Sequence, residues 1–254
     1  MCTVILLRRP GHSWPLVMAA NRDERLDRPW DPPGLWWPAR PGVIGGRDRT
    51  AGGSWMALGT SGVVAAALNR PGSLGPEAGK RSRGELPLVA AAEASAADAA
   101  ARIATLPAGH WRPFNLVIAD AARAFFLRGL GHGQPEVVDL PAGVTMVTAH
   151  DPNDLSSPRT RRHLPRFQAA APPDPDDDDW SDWTTLLADD GQDPDAGIAS
   201  TLNVPPTNGF GTVCSSLLAL RRDGSATWQF CPGRPGSAPF AVVGPPALAA
   251  TAGG

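Results

Sequence analysis

Cys2 carries the most chemistry of any residue in the chain. Loss of a leading methionine ahead of so small a side chain would leave a thiol and a free α-amine on one residue, a nucleophile that brings its own base. The amine titrates near ~8 and a free thiol near ~8.5, so at neutral pH the amine accepts the thiol proton while a nearby charge favours thiolate. The competing reading is a small apolar side chain closing the first strand. Its neighbours bear on the choice. Residues 3–7 and 14–20 are β-prone around a Pro10-Gly11 turn, so residue i should pair with about 21 − i. Cys2 then faces residues 18–20, and Asn21-Arg22-Asp23-Glu24 follows just past it. In that arrangement Asp23 would hold the α-ammonium and Arg22 would bias the thiol. The alternative is a charged loop capping a strand.

Other polar groups have weaker claims. Arg47-Asp48 after Gly45-Gly46 reads equally as a binding loop, where glycine lets backbone approach a ligand, or as a tight charged turn. Trp30, Trp36 and Trp37 would cover a hydrophobic surface, as packing or as the lining of a lipophilic site together with Trp55. His12, His110, His132, His150 and His163 are scattered without metal-ligand spacing. The acidic run 174–179 lacks the glycine and terminal glutamate of a calcium loop and reads as solvated. No nucleophile elbow surrounds Ser215-Ser216, and no phosphate-binding loop exists.

These residues need a folded frame. The chain has 254 residues, 42% apolar and 19% charged, ordinary values for a globular protein large enough to bury a core without staples. Lys and Arg number 23 against 25 Asp and Glu, so the formal charge of −2 disfavours a nucleic-acid or anionic-membrane surface. The longest uncharged stretch that suggests a membrane span contains glycines at 52, 53, 59 and 62 and reads as a hairpin, so stable membrane insertion is not expected. No secretory leader is expected, and three cysteines without C-x-x-C spacing argue against a disulfide framework, so a reducing cytoplasm is the expected setting.

Hairpins come first, with 25–53 read as a long structured loop and 54–58 pairing with 63–68. Ala-rich 85–106 predicts two helices, the second capped by Ser95 and Asp98. Strands follow at 115–119, 124–128, 137–140 and 144–149, then helices from Ser157-Pro158 to about 167 and over 180–188. The last hairpin pairs 211–220 with 225–231, and its register would set Cys214 opposite Cys231. Grouped strands and grouped helices predict an α+β fold of antiparallel sheets. Residues 1–240 read as one domain, and 241–254, rich in Pro, Ala and Gly, as a mobile tail.

Met1-Cys2-Thr3, Asn21-Arg22-Asp23-Glu24, Gly45-Gly46-Arg47-Asp48 and Gly52-Gly53-Ser54-Trp55 together resemble the NRDE family, also called the transport and Golgi organization protein 2 family. Weaker echoes lie in Ala67-Leu68-Asn69-Arg70 and in Gly211-Thr212-Val213-Cys214-Ser215-Ser216. That family is similar to cysteine-type N-terminal nucleophile hydrolases such as penicillin V acylase and bile salt hydrolase. The resemblance implies an αββα sandwich and cleavage of a non-peptide carbon–nitrogen bond through an acyl-enzyme at Cys2. By resemblance Asp23 matches well. The acylases' Arg-Asn-x-Asp arrangement sets Asn21 in place but puts Ala20 at the arginine position, so Arg22 matches only with a shift, expected to turn it to the other face of the strand. Asn69 would steady the oxyanion, with Asn203 or Asn208 as a second donor.

The expected partner is a small-molecule amide. No metal or cofactor is implied for that reaction. Some family members are linked to haem movement, and Cys231-Pro232 resembles a haem-responsive pair. The rival reading is therefore a binding or trafficking protein that holds haem or another lipophilic ligand on the same fold. Substrate identity and oligomeric state are not fixed by the sequence.

Overall fold

In β1 (Thr3–Arg8) and β2 (Leu16–Arg25) successive side chains go to opposite faces, and both faces are apolar, so a layer must pack on each side. The computed structural model, which describes residues 2–244, supplies both layers. Along the chain follow β3 (Trp30–Gly34), β4 (Ile44–Asp48), β5 (Ser54–Leu58), β6 (Val64–Asn69), α1 (Glu85–Ala91) and α2 (Ala96–Ala104). Then come β7 (Phe114–Ala119), β8 (Ala124–Gly129), β9 (Glu136–Asp139), β10 (Gly143–Val147), α3 (Pro158–Ala169) and α4 (Ser181–Leu187). The hairpin β11 (Phe210–Leu220) and β12 (Ala226–Cys231) and the short β13 (Ala241–Val242) close the order.

Two antiparallel sheets form, ordered β10-β1-β2-β11-β12-β13 and β3-β4-β5-β6-β7-β8-β9. Val4, Leu6, Leu16 and Met18 of the first meet Met56, Leu58, Val64 and Phe126 of the second in a central core. The reverse face of the first sheet, with Ile5, Val17 and Leu217, is covered by Leu164 and Phe167 of α3 and Trp183 and Leu187 of α4. The reverse face of the second, with Ala65, Leu116 and Ile118, is covered by Leu86 and Ala90 of α1 and Ala99 and Ile103 of α2. This is the expected α+β αββα sandwich. Both expected caps form: Ser95 accepts from the Asp98 amide at 3.1 Å and Ser157 from that of Thr160 at 3.3 Å.

Several local expectations are corrected. The tetrad at 21–24 is the end of β2, not a loop. Thr3 pairs with Asn21 and Leu7 with Val17, a register three residues from the expected one. Its cause is the wide turn: Arg9 bonds to the Pro15 carbonyl at 2.8 Å, and Trp14 is withdrawn from the strand into the core beneath α4. The stretch read as a loop over 25–53 contains β3 and β4. β3 is an edge strand, where Pro32 and Pro33 forfeit no ladder bond that a central strand would need. The last hairpin has a five-residue loop, with Leu220 opposite Ala226, so Cys231 faces Ser215 rather than Cys214. Of the segment 241–254, Ala241 pairs with Phe230 and Val242 with Gln229, while residues 245–254 lie outside the described residues. Among the described residues no helix is long and apolar enough to cross a membrane.

Candidate active site

The two faces of β2 carry different groups. Ala20 and Arg22 point toward the second sheet; Asn21 and Asp23 point toward α3 and α4. Continuing the β1–β2 register by one residue sets Cys2 level with Arg22, and on the far side of β2 Arg22 pairs with Cys214. Cys2, Arg22 and Cys214 thus form a row across three neighbouring strands, all lining a small cavity between the sheets. Its other walls include Val4, Met56, Leu68 and Trp55. Arg22 lies two residues beyond Ala20, on the same face, which corrects the expectation that the shift would turn it away.

The thiol is half-buried, its Sγ 3.7 Å from the Asp23 carbonyl oxygen to which it donates. Burial raises the pKa of the Cys2 thiol and the Asp23 carboxylate adds to the rise, while the charge of Arg22 opposes it only in part. Arg22 is 5% exposed. Its guanidinium carbon sits 4.2 Å from the centre of the Trp55 ring, and Nη2 is 3.7 Å from Glu24 and 3.9 Å from Asp48. Trp55 can lie there because β4 offers glycine: a Cβ on Gly46 would stand 2.1 Å from the indole ring. Trp30 meets Trp55 and Phe230 edge-on, with ring centroids 5.9 and 5.8 Å apart.

Behind the row, Asp23 accepts from Arg159 Nη1 at 2.8 Å and from the Thr212 hydroxyl at 2.7 Å. The same Arg159 nitrogen donates to Thr3 Oγ1 at 3.0 Å. Arg159 is 2% exposed and reaches Asp23 from α3. Sequence reasoning missed it among the arginines of that helix, although Arg159, His163 and Phe167 at spacing four mark the buried stripe. It also missed Cys214 and Ser216 in the lining and Thr212 on Asp23.

Most of the other candidates have their polar groups committed to other partners, Asn21 among them although it also borders the cavity. Asn21 donates to the Leu187 and Leu202 carbonyls at 3.1 Å each and accepts from Ser215 at 2.5 Å. Asn203 donates to Ala188 and Pro235 carbonyls at 3.0 Å and accepts from Arg234 Nε at 3.1 Å. Asn69 ends β6 outside the cavity lining, and Asn208 is an exposed turn residue with φ of 51°. Arg47 pairs with Asp31 at 2.7 Å and stacks on Trp36, 4.6 Å from the ring centre. Asp48 is gripped by Arg28 at 2.8 Å near Arg22. Trp37 donates to the Gly52 carbonyl at 2.8 Å and packs toward α1. Of these five binding candidates, Trp55 alone lines the cavity.

Cys231 does not face Cys214: it points away from the cavity, its Sγ 3.3 Å from both the Gly233 and the Ala238 carbonyl oxygens, to one of which it donates. Among the described residues no group of three or more His, Cys, Asp or Glu stands ready to hold a metal.

The structure is similar to a Caenorhabditis elegans N-acylethanolamine-hydrolyzing acid amidase ortholog, with a TM-score of 0.58 and 12% identity over 85% of this chain and 92% of that one. It is also similar to the C2A mutant of conjugated bile acid hydrolase from Clostridium perfringens, with a TM-score of 0.52 and 11% identity over 96% and 92% of the two chains. At such identities the likeness concerns the fold, that of N-terminal nucleophile hydrolases. No curated protein matches the chain. The sequence model of Transport and Golgi organisation 2 matches residues 1–229, most of the chain, and the protein belongs to that family.

Proposed function

We propose that the protein is an N-terminal cysteine hydrolase that cleaves the carbon–nitrogen bond of a small, non-peptide amide. The observation that carries this reading is the row of Cys2 and Arg22 on the wall of an inter-sheet cavity, backed by an Asp23 carboxylate fixed from two sides. Once Met1 is removed, the α-amine of Cys2 takes the thiol proton. Sγ then bonds to the substrate carbonyl carbon as the C=O electron pair moves onto oxygen. Collapse restores the carbonyl and breaks the C–N bond, and the amine leaves with the proton. Water, deprotonated by the α-amine, then cleaves the thioester. Asp23 orients the amine, and Arg22 draws the thiol toward thiolate. The apolar walls and Trp55 receive the acyl part. Three free cysteines suit the cytoplasm as its setting.

The test is intact mass and amino-terminal peptide mapping before and after a mild thiol alkylator across a pH series. Loss of Met1 and labelling of Cys2 ahead of Cys214 and Cys231, which are fully buried where Cys2 is only half-buried, are expected. Cys2→Ala should remove that label and abolish acylation. Retained Met1 or an inert Cys2 overturns the reading.

The apolar lining also favours a second reading, carriage of a lipophilic ligand such as haem without turnover. For haem it requires a Soret band on titration that changes in Cys2→Ala or Cys214→Ala, the two thiols on the cavity wall, and no band at micromolar haem excludes haem as that ligand.

A further inference from the structure

An acyl-transfer site needs a donor for the oxygen that turns negative, and the asparagines are poorly placed for it. The side-chain amides of Asn21 and Asn203 are committed at both ends, and Asn115 donates to the Thr148 and His150 carbonyls at 3.0 and 2.7 Å while accepting from Arg70 at 2.6 Å. Asn69 is outside the lining. One buried donor in the lining lacks a partner: Arg22 Nη1 has no acceptor among the described residues, although Arg22 is 5% exposed. Its Nη2 side faces Glu24 and Asp48, and the Trp55 ring covers its flat face, so Nη1 is the part left for a ligand. A buried, unsatisfied N–H is costly, which makes such a group a place prepared for an acceptor. Ser216 also lines the cavity, but it is neutral and sits one pleat deeper, level with Ala20. A charged donor is about twice as strong as a neutral one.

We infer that Arg22 Nη1 donates to the carbonyl oxygen of the substrate and holds the oxyanion formed when Cys2 attacks. This rests on the hydrolase reading above. The bond changes are those given there, and Nη1–H supplies the hydrogen bond without transferring its proton. The role differs from drawing the thiol toward thiolate. That effect changes how much thiolate exists at a given pH, whereas an oxyanion donor changes the rate at which thiolate acylates even when all of it is formed.

The difference can be read from two reagents. Iodoacetamide alkylates a thiolate by displacement, with no oxyanion; p-nitrophenyl acetate acylates it through one. Each rate is taken on the plateau of its pH profile, where the thiolate fraction no longer matters, with Cys2 labelling assigned by mass. In Arg22→Gln the acylation plateau should fall on the order of 10²-fold or more, while the alkylation plateau stays within about threefold, the modest change expected when only thiol basicity shifts. Arg22→Lys keeps a cation beside Glu24 and Asp48, guards against misfolding, and should show a smaller loss in the same ratio because it lacks the planar fork. Parallel loss of both rates, or loss of neither, overturns the assignment while leaving the hydrolase reading intact. A wild-type protein whose Cys2 is alkylated yet never acylated overturns both.

Discussion

The two faces of β2 differ in how completely their polar groups are satisfied. On the face toward α3 and α4, both ends of the Asn21 amide are bonded, and each oxygen of Asp23 accepts from a buried donor. On the face toward the cavity, Arg22 keeps a nitrogen without a partner among the described residues, and a half-buried thiol lines the same wall. The tetrad therefore divides by parity: Asn21 and Asp23 build a rigid support, while Arg22, flanked by Glu24, borders the cavity. The support face should break in stability measurements, and the cavity face in reactivity.

The largest effect is expected from the buried ion pair. Arg159→Met removes one partner of a carboxylate with no exposed side-chain surface, and such losses cost about 3 to 5 kcal/mol. Denaturant titration should show it, and adding Asp23→Asn should cost far less than a second loss of that size because the two residues share one interaction. Next is the pH response of the same layer. His163 is fully buried against the Ser200 carbonyl, and burial lowers its pKa to about 4. The unfolded chain takes up that proton near ~6.5, so it binds more protons than the folded state between those values, and stability falls as pH drops through this window. The loss approaches about 3 kcal/mol by the lower end, and His163→Gln should flatten it in melts at pH 7 and pH 5.

The sequence made some of this layout legible. Short β-prone runs bounded by turn residues located most strands, and Ser95 and Ser157 marked two helix starts that both form. The motif resemblance named the fold and pointed to Cys2, Asp23 and Trp55. What escaped depended on distant partners. The register of β1 on β2 is set by where Trp14 finds its core, and β3 is a strand because β4 pairs with it, despite two prolines that read as loop. Arg159 is buried because Asp23, 136 residues away in sequence, receives it, and nothing local to α3 carries that fact. The asparagines were chosen for chemistry that Asn21 and Asn203 spend on backbone carbonyls.

An intermediate effect sharpens the contrast at Asn21. Asn21→Ala strips the Leu187 and Leu202 carbonyls of a shared donor and the Ser215 hydroxyl of its acceptor, all in a buried layer, so a loss of about 2 kcal/mol is expected. Because the side chain faces away from the cavity, the iodoacetamide rate at Cys2 should stay within a few-fold of wild type while the melting temperature drops. A collapse of Cys2 reactivity without loss of stability would show that parity does not separate support from chemistry.

Cys2→Ala is the mirror case and the smallest in stability. The thiol is half-buried and makes one long contact, 3.7 Å to the Asp23 carbonyl, so removing it strips neither a core side chain nor a strong hydrogen bond. The expected change is under about 1 kcal/mol, since substitutions away from core packing and buried networks rarely exceed ~0.5 kcal/mol. At neutral pH the raised thiol is protonated in both the folded and the unfolded chain, so its titration adds nothing to this balance. Paired melts and labelling of Cys2→Ala and Asn21→Ala would then give opposite patterns: one variant stable and unreactive, the other reactive and less stable. If Cys2→Ala instead destabilised the protein by as much as Arg159→Met, the thiol would belong to the support, and the cavity wall it shares with Arg22 would not be separable from the buried layer behind β2.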